Sequence, residues 1–328
     1  MILGIIDVGT NSIHLLVGIV GRNGRFRVIR KEHELTRLGE AGLARGRLTD
    51  AAMHRAMAVL RRYVLIAARC SVTQIEAVAT SAVREAANGR AFVRRVRARL
   101  GLPLRIISGR EEARLIYLGV LQAQAVRRAT VIVTIGGGSA QVAQGNGKRL
   151  GYATSVPLGA ARLAQRFVRH DPPRPEEIAA LYRATRKVWA PVARALRRRR
   201  WQSALGSSAT IYQLMRVAAL RRHQRPPMVK RRLSVTQRSL RELVDWLAGS
   251  TAAQRLRLAG LDPRREDLAL PTAIALLTWM EACGVTTVRY AAGSIREGLV
   301  VNRGLRSGRL VLSDRRAYTA GGHDGTTS

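Results

Sequence analysis

Two stretches of the chain share one pattern, and this pattern constrains the fold more than any other feature of the sequence. In each stretch an apolar run is followed by a turn of glycine and small polar residues, and then by a second apolar run. The clearer one, residues 131–142, reads VIVTIGGGSAQV, and the other, residues 2–20, contains the turn DVGTNS. Both predict a strand, a tight turn and a second strand. Because the two stretches lie far apart in the chain, we expect two related halves.

Glycine turns of this kind are suited to holding phosphate. Without Cβ atoms the backbone can approach a ligand closely and direct N–H groups at its oxygens. A third turn of small residues, GSSAT at 206–210, opens a predicted helix and would offer that helix's N-terminus to an anion. A plain hairpin turn is an equally good interpretation of one loop alone. Two such loops together favour an anion that lies between the halves.

The strands predicted around each loop repeat in the same order. Residues 2–33 predict strands at 2–7, 13–20 and 25–32 with a turn at 21–24, and residues 130–154 predict three more with a hairpin turn at Asn146-Gly147. Apolar spacing predicts helices near 49–70, 159–169, 175–198, 236–248 and 266–283. Ser108 precedes Glu111 by the three residues of a capping box, so a helix-capping role is one interpretation of Glu111.

The charge of the chain favours a polyanionic partner. The 57 basic and 21 acidic residues give a formal net charge of +36, which would attract polyphosphate, nucleotides, nucleic acid or a membrane surface. Compositional drift is the alternative explanation, since a GC-rich genome favours arginine codons. Aromatic residues make up only 4% of the chain, so platforms on which bases could stack are scarce. The basic segment from Arg221 to Arg232 predicts either a mobile loop or a merely solvated one.

Cysteine usage and hydropathy indicate the compartment. The two cysteines, Cys70 and Cys283, have neither the number nor the spacing of a disulfide framework or a zinc site, which predicts a reducing compartment, the cytoplasm. No signal peptide is predicted, because Asp7 interrupts the apolar start and no basic stretch precedes it. The apolar run 268–280 is too short to span a bilayer, so no membrane partner is predicted. Residues 307–328 predict a disordered tail.

Eight short motifs, taken together and in order, resemble the exopolyphosphatase / guanosine pentaphosphate phosphatase (Ppx/GppA) family. They cover roughly residues 2–303, and the chain is similar to the short, two-lobe form of the family. The motifs are IDVGTNSIHLLV at 6–17, RLGE at 37–40, ATSAVREA at 79–86, ISGREEARLI at 107–116, IGGGS at 135–139, VPLGAARL at 156–163, GSSAT at 206–210 and IREGL at 295–299.

The resemblance implies an α/β fold of the actin-like ATPase (ASKHA) class. Two ribonuclease-H-like lobes, at 1–125 and 126–306, would enclose a central cleft. It also implies hydrolysis of terminal phosphoanhydride bonds in inorganic polyphosphate or guanosine pentaphosphate, with Mg²⁺ as cofactor. The chain is further expected to bind guanosine penta- or tetraphosphate or other polyanions, and to form a homodimer.

The same resemblance assigns roles to individual residues. The second carboxylate of the Glu-Glu pair, Glu112, would activate the attacking water, although helical spacing alone does not choose Glu112 over Glu111. Asp7 would hold the metal. The phosphate-binding positions would be Gly9, Thr10, Asn11, Ser12, Arg84, Gly136, Gly137, Gly138, Ser139, Gly206, Ser207 and Ser208.

The second loop departs from the family pattern at two metal positions. The family usually has aspartate where this chain has Thr134, and threonine-glutamate where it has Ala140-Gln141. Thr134 and Gln141 would be weaker ligands, because Mg²⁺ prefers carboxylate and water oxygens. The chain is therefore expected to be either a phosphatase, slow if the metal site is weakened, or a degenerate member that binds polyphosphate or an alarmone without turnover. A nucleic-acid binder and a kinase or ATPase of the same fold are lower-ranked alternatives.

Overall fold

The computed structural model describes residues 1–21, 26–40, 42–43, 45–124, 126, 128–147, 149–222, 232–306 and 318–319. Most of the predicted turn at 21–24, most of the basic segment between Arg221 and Arg232 and most of the predicted tail at 307–328 lie outside the described residues.

Within the described residues, the strands form two six-stranded sheets. The first sheet has the order β12-β3-β2-β1-β4-β5, and the second has the order β10-β11-β9-β6-β7-β8. The strands of the first sheet are β1 (Ile2–Val8), β2 (Ser12–Val20), β3 (Phe26–Leu35), β4 (Gln74–Ala79), β5 (Leu104–Ile106) and β12 (Tyr318–Thr319). Those of the second are β6 (Thr130–Ile135), β7 (Ala140–Asn146), β8 (Arg149–Val156), β9 (Ser203–Gly206), β10 (Ser234–Thr236) and β11 (Thr287–Tyr290).

The helices of the described residues connect these strands and cover the sheets. They are α1 (Asp50–Arg69), α2 (Ser81–Glu85), α3 (Gly89–Leu100), α4 (Gly109–Ala123), α5 (Ala160–Phe167), α6 (Pro175–Arg197), α7 (Ala209–Arg221), α8 (Gln237–Gly249), α9 (Ala252–Leu256), α10 (Glu266–Cys283) and α11 (Ile295–Arg306). A 3₁₀ turn, Pro263–Arg265, leads into α10. The short β10 and α9 are not predicted by the apolar pattern.

Both sheets have the same topology. β1 is antiparallel to β2 and parallel to β4, while β2 is antiparallel to β3. In the second sheet β6 is antiparallel to β7 and parallel to β9, while β7 is antiparallel to β8. This strand order is that of a ribonuclease-H-like lobe, and its repetition confirms the expected actin-like ATPase fold. The predicted lobe boundaries remain predictions.

Two helices lie between the sheets and join them. The buried cluster between the lobes contains Leu115 and Val120 of α4 and Leu299 of α11, together with Ile5 of β1 and Ile132 of β6. α4 and α11 approach so closely that a Cβ at Gly298 would collide with the carbonyl oxygen of Leu115. The helix α4 is therefore fixed against both sheets at once, which restricts how far its first turn can move.

Two further findings concern the expectations about the tail and membranes. Two residues of the predicted tail, Tyr318 and Thr319, pair in parallel with Phe26 and Arg27 of β3, which would otherwise be the edge strand of its sheet. Disorder over 307–328 remains a prediction. An edge strand presents unpaired backbone groups that another segment can bind. Among the residues that the structure describes, no helix combines the length and the apolar character that crossing a membrane requires.

Candidate active site in the interlobe cleft

The predicted site residues meet in one cavity between the lobes. Its volume is about 210 Å³, and it is lined by the β1–β2 turn, the β6–β7 turn, the start of α7 and the first turn of α4. All predicted site residues except Arg84 and Gly206 line this cavity. The fold therefore brings together segments that are widely separated in the sequence.

The two glycine loops have the same internal geometry. In the first, the N–H of Gly9 donates to the carbonyl of Ser12 at 3.0 Å, and in the second the N–H of Gly136 donates to the carbonyl of Ser139 at 2.9 Å. Each bond closes a turn between two antiparallel strands. The repeated sequence pattern thus corresponds to a repeated backbone conformation.

The loops face each other directly across the cleft. A Cβ at Gly138 would overlap the hydroxyls of Thr10 and Ser81 in the other lobe, and a Cβ at Gly137 would lie 3.1 Å from the Cβ of Asn11. The N–H groups of Gly137 and Gly138 have no hydrogen-bond acceptor among the described residues. Free N–H groups at a glycine turn that lines a cavity are an anion-binding arrangement.

The third small-residue turn contributes a helix N-terminus. The Ser208 hydroxyl accepts from the N–H of Ile211 at 3.1 Å and so caps α7, while the Ser207 hydroxyl donates to the carbonyl of Gly293 at 2.6 Å. Ala209 and Thr210 of the first turn of α7 line the cavity. Gly206 lies behind it, where a Cβ would come 2.9 Å from side-chain atoms of Ile211 and Val288, so its smallness serves packing.

The structure separates the two adjacent glutamates of α4. Ser108 caps the helix by accepting from the N–H of Glu111, as the capping spacing predicts. The Glu111 carboxylate turns away from the cleft and pairs with Arg105 at 2.8 Å. Glu112 is only 5% exposed and lines the cavity. Helical spacing alone did not show which of the two glutamates faces the cleft. In the structure it is Glu112.

Arg84 contacts Glu112 instead of lining the cavity. Its Nη1 donates to Glu112 Oε2 at 2.9 Å and to the carbonyl of Ile107 at 3.1 Å. Burial raises the pKa of Glu112 to about 7, although the Arg84 guanidinium acts in the opposite direction. A carboxyl with a pKa near neutrality is matched to accepting a proton at physiological pH. The predicted phosphate contact of Arg84 remains a prediction.

Several buried polar atoms around the cavity have no hydrogen-bond partner among the described residues. They are Asp7 Oδ1, Asn11 Nδ2, His14 Nδ1 and Thr134 Oγ1, all on residues that line the cavity. Burial also raises the pKa of Asp7 to about 6, against the opposing charge of Arg296. Unpaired buried polar atoms are costly unless water, an ion or a ligand satisfies them, so their convergence makes this cavity the candidate binding site.

Gln141 is held by two serines. Its Nε2 donates to Ser139 Oγ at 2.7 Å and to Ser155 Oγ at 3.1 Å. Gln141 also pairs with Thr134 across β6 and β7, so the two positions at which the chain departs from the family pattern are direct neighbours. The uncharged pair leaves this wall of the cavity without a carboxylate.

The sequence interpretation gave no role to several residues that line the cavity, and three of these carry ionisable side chains: His14, Arg265 and Arg296. His14 lies within the family motif at 6–17 and Arg296 within the motif at 295–299. Membership of these motifs could have pointed to both residues. Burial and the charge of Arg296 hold the pKa of His14 well below its ordinary value of 6.5, so this ring is neutral at physiological pH. Arg265 is only 8% exposed and donates to His33 at 2.9 Å. The two arginines add positive charge to the lining of the cavity.

Comparison with known proteins shows the family of this chain. Residues 19–307 match the model of the Ppx/GppA phosphatase family. The chain belongs to this family. The matched range begins after the first glycine loop, so within this Ppx/GppA member it is the structure that places Gly9 to Ser12 at the site.

Relatives of this Ppx/GppA chain cover nearly its whole length. Exopolyphosphatase 1 of Mycobacterium tuberculosis is 30% identical over 305 residues, which is 92% of this chain and 88% of that protein. The structure is similar to that of an exopolyphosphatase from Cytophaga hutchinsonii, with a TM-score of 0.84, 26% identity and coverage of 95% of this chain and 99% of that one. It is also similar to the Aquifex aeolicus Ppx/GppA family member, with a TM-score of 0.77, 25% identity and coverage of 94% and 98%.

The residues present fit a magnesium ion that is bound together with substrate. The described residues hold no group of three or more histidine, cysteine, aspartate or glutamate side chains arranged for a metal. Mg²⁺, however, commonly takes one or two carboxylates and completes its shell with water and substrate phosphates. Asp7 Oδ1 offers one unpaired carboxylate oxygen, and Thr134 Oγ1, on a residue that lines the same cavity, offers one unpaired hydroxyl.

Proposed function

We propose that this Ppx/GppA member removes the terminal phosphate of inorganic polyphosphate by hydrolysis in the interlobe cavity. The proposal rests chiefly on one observation. Glu112, with its pKa raised to about 7 by burial, shares a cavity with two facing glycine loops and a helix N-terminus. The name of the Mycobacterium relative supports the substrate class.

Each part of the cavity has a distinct task in this proposal. The free N–H groups of the glycine loops and the N-terminus of α7 bind the phosphate oxygens and stabilise the charge on the transferred group. Glu112 accepts a proton from a water molecule while that water attacks the terminal phosphorus. The bond to the bridging oxygen breaks, and the shortened chain leaves with that oxygen while one orthophosphate is released.

Mg²⁺ is proposed as the cofactor, with Asp7 as its protein ligand and Thr134 and Gln141 as weaker ones. When bound, the ion would neutralise charge on the phosphate oxygens. It would also favour the ionised form of Asp7, because metal ligands bind deprotonated. The arginines at 265 and 296 supply further positive charge from the protein itself.

Phosphate release from long-chain polyphosphate, with and without Mg²⁺, tests the proposal. The unaltered protein should release orthophosphate, and Glu112→Gln should reduce the rate by about a thousandfold, the scale of a lost general base. Glu111→Gln removes a carboxylate from the same helical turn and should retain the rate. Equal rates for the unaltered protein and Glu112→Gln would contradict the proposal.

Two further measurements, polyphosphate binding by the same protein and phosphate release from guanosine pentaphosphate, separate the finer alternatives. Tight polyphosphate binding without release would support the degenerate, binding-only member. Release from guanosine pentaphosphate at a comparable rate would extend the substrate range to that nucleotide, since both substrates end in a phosphoanhydride. Homodimer formation and a cytoplasmic location remain predictions.

A further inference from the structure

A second, smaller cavity lies beside the proposed catalytic one. Its volume is about 130 Å³, and it shares Thr10, Asn11 and Leu268 with the catalytic cavity. It is also lined by Arg37 and Asp267, one from each lobe. A polyphosphate chain whose last phosphate lies in the catalytic cavity must leave that cavity on some side, and this neighbouring space offers a path.

Arg37 reaches across the cleft at this point. Its Nη1 donates to Asp267 Oδ2 at 3.2 Å, and its Nη2 donates to the carbonyl of Arg264 at 3.4 Å. The side chains of Arg37 and Asp267 are 42% and 41% exposed. An ion pair as exposed as this contributes little to stability, so a more highly charged anion can displace the carboxylate at small cost.

The backbone of Arg37 is held to the first glycine loop. Its N–H donates to the carbonyl of Asn11 at 2.9 Å, and the N–H of Gly39 donates to the carbonyl of Thr10 at 2.8 Å. Arg37 has a φ of +45°, a left-handed conformation that is uncommon for a residue with a long side chain and is often found at functional sites. The turn thus fixes the position of the guanidinium relative to the phosphate-binding loop.

The carboxylates around this cavity are already paired. Glu40, which also lines it, accepts from Arg55 at 3.1 Å. Asp267 is the acidic partner of Arg37 itself. An arginine fork binds a phosphate with two parallel hydrogen bonds as readily as it binds a carboxylate, so Asp267 occupies the place that a phosphate would take.

We propose that Arg37 binds a phosphate of the polyphosphate chain outside the catalytic cavity, and that Asp267 holds its guanidinium in the absence of substrate. This inference rests on the proposed function for its ligand. If it is correct, substitution of the two partners of this ion pair must change polyphosphate affinity in opposite directions. Loss of Arg37 removes the phosphate contact, whereas loss of the Asp267 charge releases Arg37 for it.

The test measures binding by titration calorimetry with Mg²⁺ present, in a Glu112→Gln background that keeps polyphosphate intact. Arg37→Asn is the preferred variant because asparagine tolerates the left-handed conformation. It should raise the Kd for long-chain polyphosphate by about tenfold, and leave the Kd for pyrophosphate unchanged. Asp267→Asn should lower the Kd for long-chain polyphosphate by about threefold. Arg37→Lys should show an intermediate loss.

Arg61→Gln is the matched control. Arg61 is an exposed arginine of α1 that has no ion pair among the described residues, so it reports the loss of one positive charge alone. Equal Kd values for Arg37→Asn and Arg61→Gln would overturn the inference. An equal increase of the Kd for polyphosphate in Arg37→Asn and Asp267→Asn would also overturn it. That result is expected if the ion pair only holds the two lobes together. Phosphate release by the unaltered protein is measured separately. Failure of the proposed hydrolysis can therefore be distinguished from failure of the Arg37 inference.

Discussion

Asp7 and Thr134 occupy equivalent positions in the two lobes. Each lies two residues before the turn glycine of its loop, on the first strand of its sheet, and each carries a buried side-chain oxygen without a hydrogen-bond partner among the described residues. Their cross-strand neighbours, His14 and Gln141, are equivalent in the same way. One lobe therefore presents a carboxylate to the cavity where the other presents a hydroxyl.

The double variant Thr134→Asp with Gln141→Glu should bind Mg²⁺ more tightly. Ser139 and Ser155, which now accept from the Gln141 amide, can donate to a glutamate after their hydroxyls rotate. Two added carboxylates should raise Mg²⁺ affinity by at least about tenfold, measured by calorimetry, and should increase phosphate release. An unchanged Mg²⁺ affinity would show that these two positions do not face the metal.

The pH dependence of phosphate release should report Glu112. Because the ionised carboxylate accepts the proton, kcat/KM should rise with pH through about 7, the pKa to which burial raises Glu112. Arg84 lowers that pKa through its charge and hydrogen bond. Arg84→Gln should therefore shift the rising limb to higher pH, and Arg84→Lys should restore it in part. A fall in rate without a shift of the limb would instead support a direct phosphate contact.

Glu112→Gln should stabilise the fold at alkaline pH. Because burial raises the pKa of Glu112 from 4.5 to about 7, its protonated form stabilises the folded state, and this contribution is lost as pH rises through 7. The stability gained by the variant should therefore grow by about 2 kcal/mol between pH 5 and pH 9. Urea unfolding measures it, with Glu111→Gln as the control from the same helical turn. A constant difference across this range would argue against a raised pKa.

Gly138→Ala should interfere with the approach of the two loops. The added Cβ would overlap the hydroxyls of Thr10 and Ser81 from the other lobe, so the loops must separate. A displacement of this kind at a phosphate-binding loop should reduce kcat/KM by about a hundredfold. Gly249→Ala, where a Cβ would meet nothing within 4 Å, is the matched control and should retain activity. Full activity of Gly138→Ala would mean that the loops work in a more open arrangement.

Local pattern was sufficient for much of the fold. The apolar spacing predicts α10 at its observed bounds, Glu266–Cys283, and α6 to within one residue of Pro175–Arg197. The strands around both glycine loops were predicted for the same reason, since alternation of apolar runs and glycine turns is a local signal. Short elements such as β10 carry too few residues for a periodic signal, and their formation depends on the strand beside them.

The sequence by itself determined the repeated strand–turn–strand units, and with the family motifs it indicated an anion held between two lobes and Glu112 as the base. Tertiary structure alone decided which glutamate faces the cavity, that Arg84 contacts Glu112, and that His14, Arg265 and Arg296 belong to the site. The physical reason is that burial and cross-lobe proximity arise when α4 and α11 pack between the two sheets. The pKa of a buried side chain and an ion pair across the cleft both depend on neighbours that are distant in the sequence, as with Arg84 and Glu112, 28 residues apart, and Arg37 and Asp267, 230 residues apart.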